Sequence, residues 1–161
     1  MGAHEGHAAL SVSDAVIHEH LSALSALSQN VSDSMPDEIQ ALADRVLETI
    51  LAGGKVMFCG NGGSAADAQH LAAEYVVRFS RERRALAVLA LTTDTSVLTA
   101  GGNDYGYDTI FSRQVEALGR AGDLLILHST SGESENLIAA AHSAGRLEIY
   151  TASLLAKGGG R

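Results

Sequence analysis

Three short segments hold the side chains best suited to chemistry. The first, Ser129-Thr130-Ser131-Gly132-Glu133-Ser134, places four hydroxyl residues in six positions. At the start of a helix, such hydroxyls and the free backbone N–H groups of the first turn can surround a phosphate. The same residues also make an ordinary Ser/Thr cap, so the segment alone leaves both readings open. The second, Gly60-Asn61-Gly62-Gly63-Ser64-Ala65, matches G-x-G-x-x-A, the dinucleotide fingerprint. That fingerprint also wants an acid about 20 residues further on, near the end of the second strand. Glu82 comes before that strand and Asp94 lies too far along, and no Walker lysine follows the glycines. The turn reads instead as a sugar or phosphate cradle. Glycine lets the backbone approach a ligand closely, and Asn61 and Ser64 supply polar groups. In the third segment, Asp67 to Glu74, His70 and Glu74 stand at i and i+4 and so share one helix face. Imidazole plus carboxylate is half of a zinc site; it is equally a helix-surface pair. Asp67, near the helix start, suits the helix dipole or a cap-region role.

Other candidates carry less. Cys59 ends an apolar run and reads as buried filler rather than a nucleophile. His128, next to the hydroxyl turn, is either a substrate contact or a satisfied structural histidine. His4, His7, His18 and His20 fall in a histidine-rich tail and on an exposed helix face, a poor setting for a metal.

The elements that must position these segments follow from periodicity. Residues 1–12 read as a loose tail. Ser13-Asp14 offers a cap for a helix carrying Val16, Ile17, Leu21, Leu24 and Leu27. Ser34-Met35-Pro36-Asp37 starts a second helix, with Ile39, Leu42, Ala43, Val46, Leu47 and Ile50 on one face, ended by Gly53-Gly54. Four apolar runs predict strands: Lys55–Cys59, Ala85–Leu91, Leu124–His128 and Leu147–Thr151. Between them, helices are expected over Ala65–Phe79, Thr92–Ala100, Tyr107–Leu118 and Ser134–Ala144, with Gly101-Gly102-Asn103-Asp104 as a loop. Strand, turn, helix, strand with short connections is the pattern of an α/β fold with a parallel sheet and helices on both faces. Ligands in that architecture bind at the carboxyl ends of the strands, where both turns fall.

Composition narrows the function. Length sets about one domain, and 46% hydrophobic with 19% charged residues fits a globular chain. No apolar stretch reaches the roughly 18 residues of a membrane span, and the first residues lack the pattern of a secretory signal. One cysteine excludes an intrachain disulfide framework and suits a reducing cytosol. Nineteen acidic against eleven basic residues give a net charge of −8, whereas a nucleic-acid binder shows a basic patch. The one candidate, Arg78 to Arg84, is short and interrupted by Glu82. Aromatic residues at 4%, without tryptophan, leave little for stacking on single strands.

Five blocks in order carry a specific resemblance: Cys59-Gly60-Asn61-Gly62-Gly63-Ser64-Ala65-Ala66-Asp67-Ala68-Gln69-His70, Leu91 to Ser96, Gly102 to Tyr107, Phe111 to Gly119 and Ser129-Thr130-Ser131-Gly132. From about residue 13 to 151 the chain resembles the phosphoheptose isomerases of the sugar isomerase (SIS) fold. The resemblance implies a flavodoxin-like, doubly wound parallel sheet preceded by helices, in a single domain over 13–161. It implies a cytoplasmic homotetramer, with an N-terminal helix in the contact, that converts sedoheptulose 7-phosphate to D-glycero-D-manno-heptose 7-phosphate for lipopolysaccharide or related surface glycans. Family substrate contacts fall on Asn61, Gly62, Gly63, Asn103, Asp104, Ser129, Thr130, Ser131 and Ser134, with Ser64 and Asp67 at further active-site positions. Two ligands of one zinc ion per subunit fall on His70 and Glu74, and Glu74 is also a proton-transfer residue. The chemistry agrees: a ketose becomes an aldose when a proton moves between adjacent carbons through an enediol, so one group takes the proton and one returns it.

The family pattern continues past this chain's end with a helix carrying a Gln and a His, which complete the zinc site and the acid/base pair. Relative to the family the domain is C-terminally incomplete, or diverged after about residue 151, which predicts weak two-ligand metal binding and impaired activity. Glu133 and Glu135 make the hydroxyl turn unusually acidic, and both must face solvent if a phosphate is to bind. Thr151-Ala152-Ser153 stands where a Thr-Gly turn is usual. Two alternatives belong to other classes: a non-catalytic SIS adaptor, which lacks the ligand glutamate that Glu74 supplies here, and a sugar-phosphate sensor.

Overall fold

The computed structural model describes residues 13–160; the expected tail over 1–12 lies outside them. Contacts divide the chain into two compact units, with the boundary between Ala41 and Leu42. The first holds α1 (Asp14–Ser34), entered through Ser13 in an extended conformation. None of its side chains is buried, and Val16, Ile17, Leu21, Leu24 and Leu27 are all exposed. α2 (Pro36–Leu51) opens on its proline, whose missing N–H costs nothing in a first turn.

The second unit is built on a four-stranded parallel sheet: β1 (Val56–Gly60), β2 (Val88–Ala90), β3 (Leu124–Ser129) and β4 (Tyr150–Leu155), in the order β2-β1-β3-β4. That is the flavodoxin-like order predicted above. The connections are α3 (Gly63–Val76), α4 (Thr95–Tyr105) followed by a single 3-10 turn (Tyr107–Thr109) and α5 (Ser112–Leu118), and α6 (Glu135–Arg146).

Strand alternation sends side chains to two cores. Val56, Phe58, Val88, Ala90, Leu124 and Ile126 pack with Val46 and Ile50 of α2 and Ala68 and Ala72 of α3. Met57, Cys59, Leu125 and Leu127 pack on the other face with Val115 of α5 and Leu137, Ala140 and Ala144 of α6. Because both faces are covered, β1, β2 and most of β3 are apolar rather than alternating, whereas the edge strand β4 has no buried residue. Each fully buried leucine or isoleucine contributes about 1.5–3 kcal/mol over an exposed one.

Several sequence expectations shift, among them the single helix expected over Tyr107–Leu118, which is a 3-10 turn (Tyr107–Thr109) followed by α5 (Ser112–Leu118). β2 is shorter than Ala85–Leu91. It is an edge strand paired only with β1, and its approach runs against α3, where Leu86 donates its N–H to the Tyr75 carbonyl. Gly101 to Asp104 is not a loop: α4, capped by Asp94 through the Val97 N–H at 3.0 Å, continues through these residues to Tyr105. The fourth strand lies over Tyr150–Leu155 rather than Leu147–Thr151. α6 runs on to Arg146, the chain turns at Glu148 with φ 56°, and pairing to β3 begins at Tyr150 opposite Leu124. Thr151-Ala152-Ser153 is therefore strand, not turn.

Candidate active site

Strand order reverses between β1 and β3, and Gly60 pairs with His128 there. The glycine turn after β1 and the hydroxyl turn after β3 thus leave the sheet side by side, at the crevice where α/β sheets bind ligands. Gly60 has no room for a side chain, since a Cβ would meet the Ser64 Cβ at 2.7 Å. Gly62 precedes α3 with φ 57°, a conformation that favours glycine. These glycines let α3 start immediately above the strand, with the backbone of Gly62 and Gly63 exposed.

In the hydroxyl turn, two side chains shape the loop. Ser129 Oγ accepts the Gly132 N–H at 3.0 Å, and Ser131 Oγ accepts the Glu133 N–H at 3.2 Å. Ser134 occupies the cap position of α6 without making a side-chain cap bond, and Thr130 is exposed. The side-chain cap expected of a serine at this position is therefore not made by Ser134. Glu133 and Glu135 are both exposed, the condition set above for an anion to bind nearby.

α3 carries the remaining candidates away from these turns. A cleft of about 400 Å³ brings together Ser64, Asp67, His70, His128, Ser129 and Thr130. A second, of about 410 Å³, is lined by His70, Glu74, Tyr75, Phe79 and Arg83. His70 lines both, so it stands between the Ser129–Thr130 end and the Glu74 end. Ser64 and His70 are six residues apart, roughly 9 Å of helix. His70 Nε2 and Glu74 Oε1 lie 3.9 Å apart; the imidazole is 71% exposed and the carboxylate 28%. Asp67 lies beyond the first turn of α3 and lines the first cleft, so it is not a cap. Of the predicted contacts, Asn61, Gly62, Gly63, Ser131 and Ser134 lie on the two turns but do not line either cleft, and Asn103 and Asp104 are not brought to either cleft. These last two end α4 and bond to each other, Nδ2 to Oδ1, at 2.7 Å.

Sequence reasoning passed over Asn136 and Tyr107. Asn136, in the first turn of α6 and 2% exposed, exchanges two hydrogen bonds with Asn61: each side-chain amide donates to the other's oxygen at 2.9 Å. Tyr107 Oη donates to the same Asn61 oxygen at 3.0 Å. An asparagine just inside a helix start gave no signal, because its partner lies 75 residues away. His128 is 7% exposed and stacks edge-on against Phe58, and its Nε2 has no hydrogen-bond partner. Burial lowers its pKa below the ordinary imidazole value, and the Asp67 carboxylate partly opposes that. Cys59 is fully buried, and burial pushes its thiol pKa far up, so it is filler as expected.

The SIS domain family model matches residues 19–156. A phosphoheptose isomerase of Akkermansia muciniphila is 56% identical over 127 residues, 79% of this chain and 67% of that protein. One from Roseiflexus is 58% identical over 122 residues, 76% of this chain and 62% of that protein. The solved phosphoheptose isomerase of Neisseria gonorrhoeae superposes with a TM-score of 0.83 at 43% identity, over 88% of this chain and 73% of that one. The chain belongs to the SIS-domain family, among the phosphoheptose isomerases. It spans between three fifths and three quarters of the length of these relatives.

The zinc that the resemblance implies meets only part of a donor set here. A zinc site takes three or four protein donors. Among the described residues, no group of three His, Cys, Asp or Glu side chains is gathered to hold a metal. His70 and Glu74 have suitable donor chemistry but do not by themselves fit a complete site, so no step below runs through a metal. Among the described residues, no helix is long and apolar enough to cross a membrane.

Proposed function

We propose that the chain is an aldose–ketose isomerase that converts sedoheptulose 7-phosphate to D-glycero-D-manno-heptose 7-phosphate. The observation that carries this reading is the pairing of the glycine and hydroxyl turns at the β1/β3 crevice, with His70 and Glu74 further along the same helix. The phosphate sits on the Ser129–Ser134 turn, held by Thr130 and Ser134 hydroxyls, backbone N–H groups and the start of α6. Ser129 and Ser131 hold the turn in shape. Asn61, Gly62, Gly63 and Ser64 hold the sugar chain from the other side. The resemblance alone supports Asn103 and Asp104 as further contacts.

Anchoring the phosphate leaves the opposite end of a seven-carbon chain to reach along α3 toward His70 and Glu74. Binding remote from the reacting carbons is what fixes their orientation. Glu74, half-buried, takes a proton from the hydroxyl-bearing carbon beside the carbonyl to give an enediolate and, as its conjugate acid, returns it to the former carbonyl carbon, while the hydroxyl proton passes from one oxygen to the other. Asp67 lies between the two ends and supports this transfer. Among the described residues, His70 and Glu74 are the donors that would face a zinc ion.

The exposed apolar residues of α1 support a homo-oligomer, which we take as a tetramer: a row of this kind on a soluble protein marks an interface. We place the enzyme in the cytoplasm, supplying heptose for lipopolysaccharide or related surface glycans. Incubating the chain with sedoheptulose 7-phosphate, with and without added zinc, tests the reading. Turnover that Glu74→Gln abolishes supports it, and full turnover unaffected by Glu74→Gln contradicts the assignment of the base.

A further inference from the structure

We propose that Asn136 and Tyr107 are positioning residues that make the Asn61 side chain a donor-only group facing the substrate, an inference that rests on the isomerase reading above. Asn136 is almost completely buried, where an amide is costly unless its polar atoms are paired. Both its polar atoms are spent on one partner, Asn61. An asparagine oxygen has two lone pairs and its nitrogen two hydrogens. The Asn61 oxygen accepts from Asn136 Nδ2 and from Tyr107 Oη, so both lone pairs are taken. Its nitrogen gives one hydrogen to Asn136 Oδ1, and one remains. What Asn61 offers a ligand is therefore an N–H and never a carbonyl oxygen.

That matters because of where the pair lies. Asn61 belongs to the glycine turn after β1, Asn136 follows the hydroxyl turn after β3, and Tyr107 comes from the 3-10 turn between α4 and α5. The bonds tie the two ligand turns together by side chains, outside both hydrophobic clusters. They also occupy the Asn61 acceptor, which would repel an anionic oxygen beside it. A free asparagine can turn either end toward a ligand; a clamped one cannot.

The test uses the full chain. Affinity for sedoheptulose 7-phosphate is measured by calorimetry, and KM and kcat by turnover, for Tyr107→Phe, Asn136→Leu, Asn61→Ala and the Asn61→Ala/Asn136→Leu pair. Tyr107→Phe removes one neutral hydrogen bond from an exposed phenol and is expected to weaken binding about threefold. Asn136→Leu removes two and is expected to weaken it about tenfold. KM should rise in step, with kcat changing less than about twofold. In the Asn61→Ala background, Asn136→Leu should add nothing, whereas a merely structural role would lower stability without this KM effect or coupling. Should Asn136→Leu fail to fold, Tyr107→Phe alone decides. Wild-type affinity and KM in the folded variants would overturn the clamp while leaving the isomerase reading intact. A wild-type chain that does not bind the heptulose phosphate would sink that reading, and this inference with it.

Discussion

The two ends of the same four strands treat polar groups in opposite ways. At the amino ends, Asp123 is buried, yet its carboxylate accepts the Lys55 N–H at 2.9 Å and the Arg120 N–H at 2.8 Å and pairs with the Lys55 ammonium. That carboxylate is engaged within the fold. At the carboxyl ends, the Ser134 hydroxyl makes no cap bond and the His128 Nε2 has no partner. The fold is tied at one end, and capacity for hydrogen bonding is held open at the other. Satisfied buried polar groups serve stability, and a buried polar atom without a partner in the fold is the exception that needs an explanation.

Substitutions can break that contrast. The largest effect is expected at Glu74. Glu74→Gln should lower kcat about a thousandfold, roughly 4 kcal/mol of barrier, and leave thermal unfolding almost unchanged, as steady-state kinetics and calorimetry would show together. Next comes the tied end. Asp123→Ala should cost about 3 kcal/mol of stability in denaturant unfolding, because it strands a part-buried ammonium and two N–H groups, while substrate affinity of the folded protein stays as it was. The open end should show the converse: Ser134→Ala weakens sugar-phosphate binding by about 1 kcal/mol with little change in unfolding midpoint, because no cap bond is lost.

The smallest effect is set by pH. His128 has its pKa lowered in the folded chain, so the unfolded chain binds the extra proton more readily. Its contribution to stability is present above the ordinary imidazole pKa and is lost as pH falls through that value toward the lower folded one. His128→Leu should flatten the dependence of melting temperature on pH in that window. A variant that keeps the wild-type slope there would remove His128 from the explanation.

Much of this was legible in the residues. The apolar runs after Lys55 and before Ser129, with the glycine and hydroxyl turns beyond them, specify strand, turn and helix locally, and the structure follows them closely. What escaped depends on partners distant in the chain. The fourth strand begins where β3 offers pairing, at Tyr150, and no local pattern distinguishes that from a start at Leu147. Gly101-Gly102-Asn103-Asp104 has the composition of a loop. It is helical because α4 is capped by Asp94 and anchored by Leu98 against the sheet core, so packing overrides propensity. The Asn61–Asn136 pair spans 75 residues and left no trace in spacing. His70 and Glu74 were legible as a pair on one face, because helix geometry alone brings them within 3.9 Å.

The most direct measurement is a crystal structure of the chain soaked with sedoheptulose 7-phosphate. The phosphate should lie at the start of α6, within hydrogen-bond reach of Thr130 and Ser134, with the sugar chain running along α3 toward His70. A phosphate bound anywhere else, with the crevice between β1 and β3 empty, would contradict the proposed site.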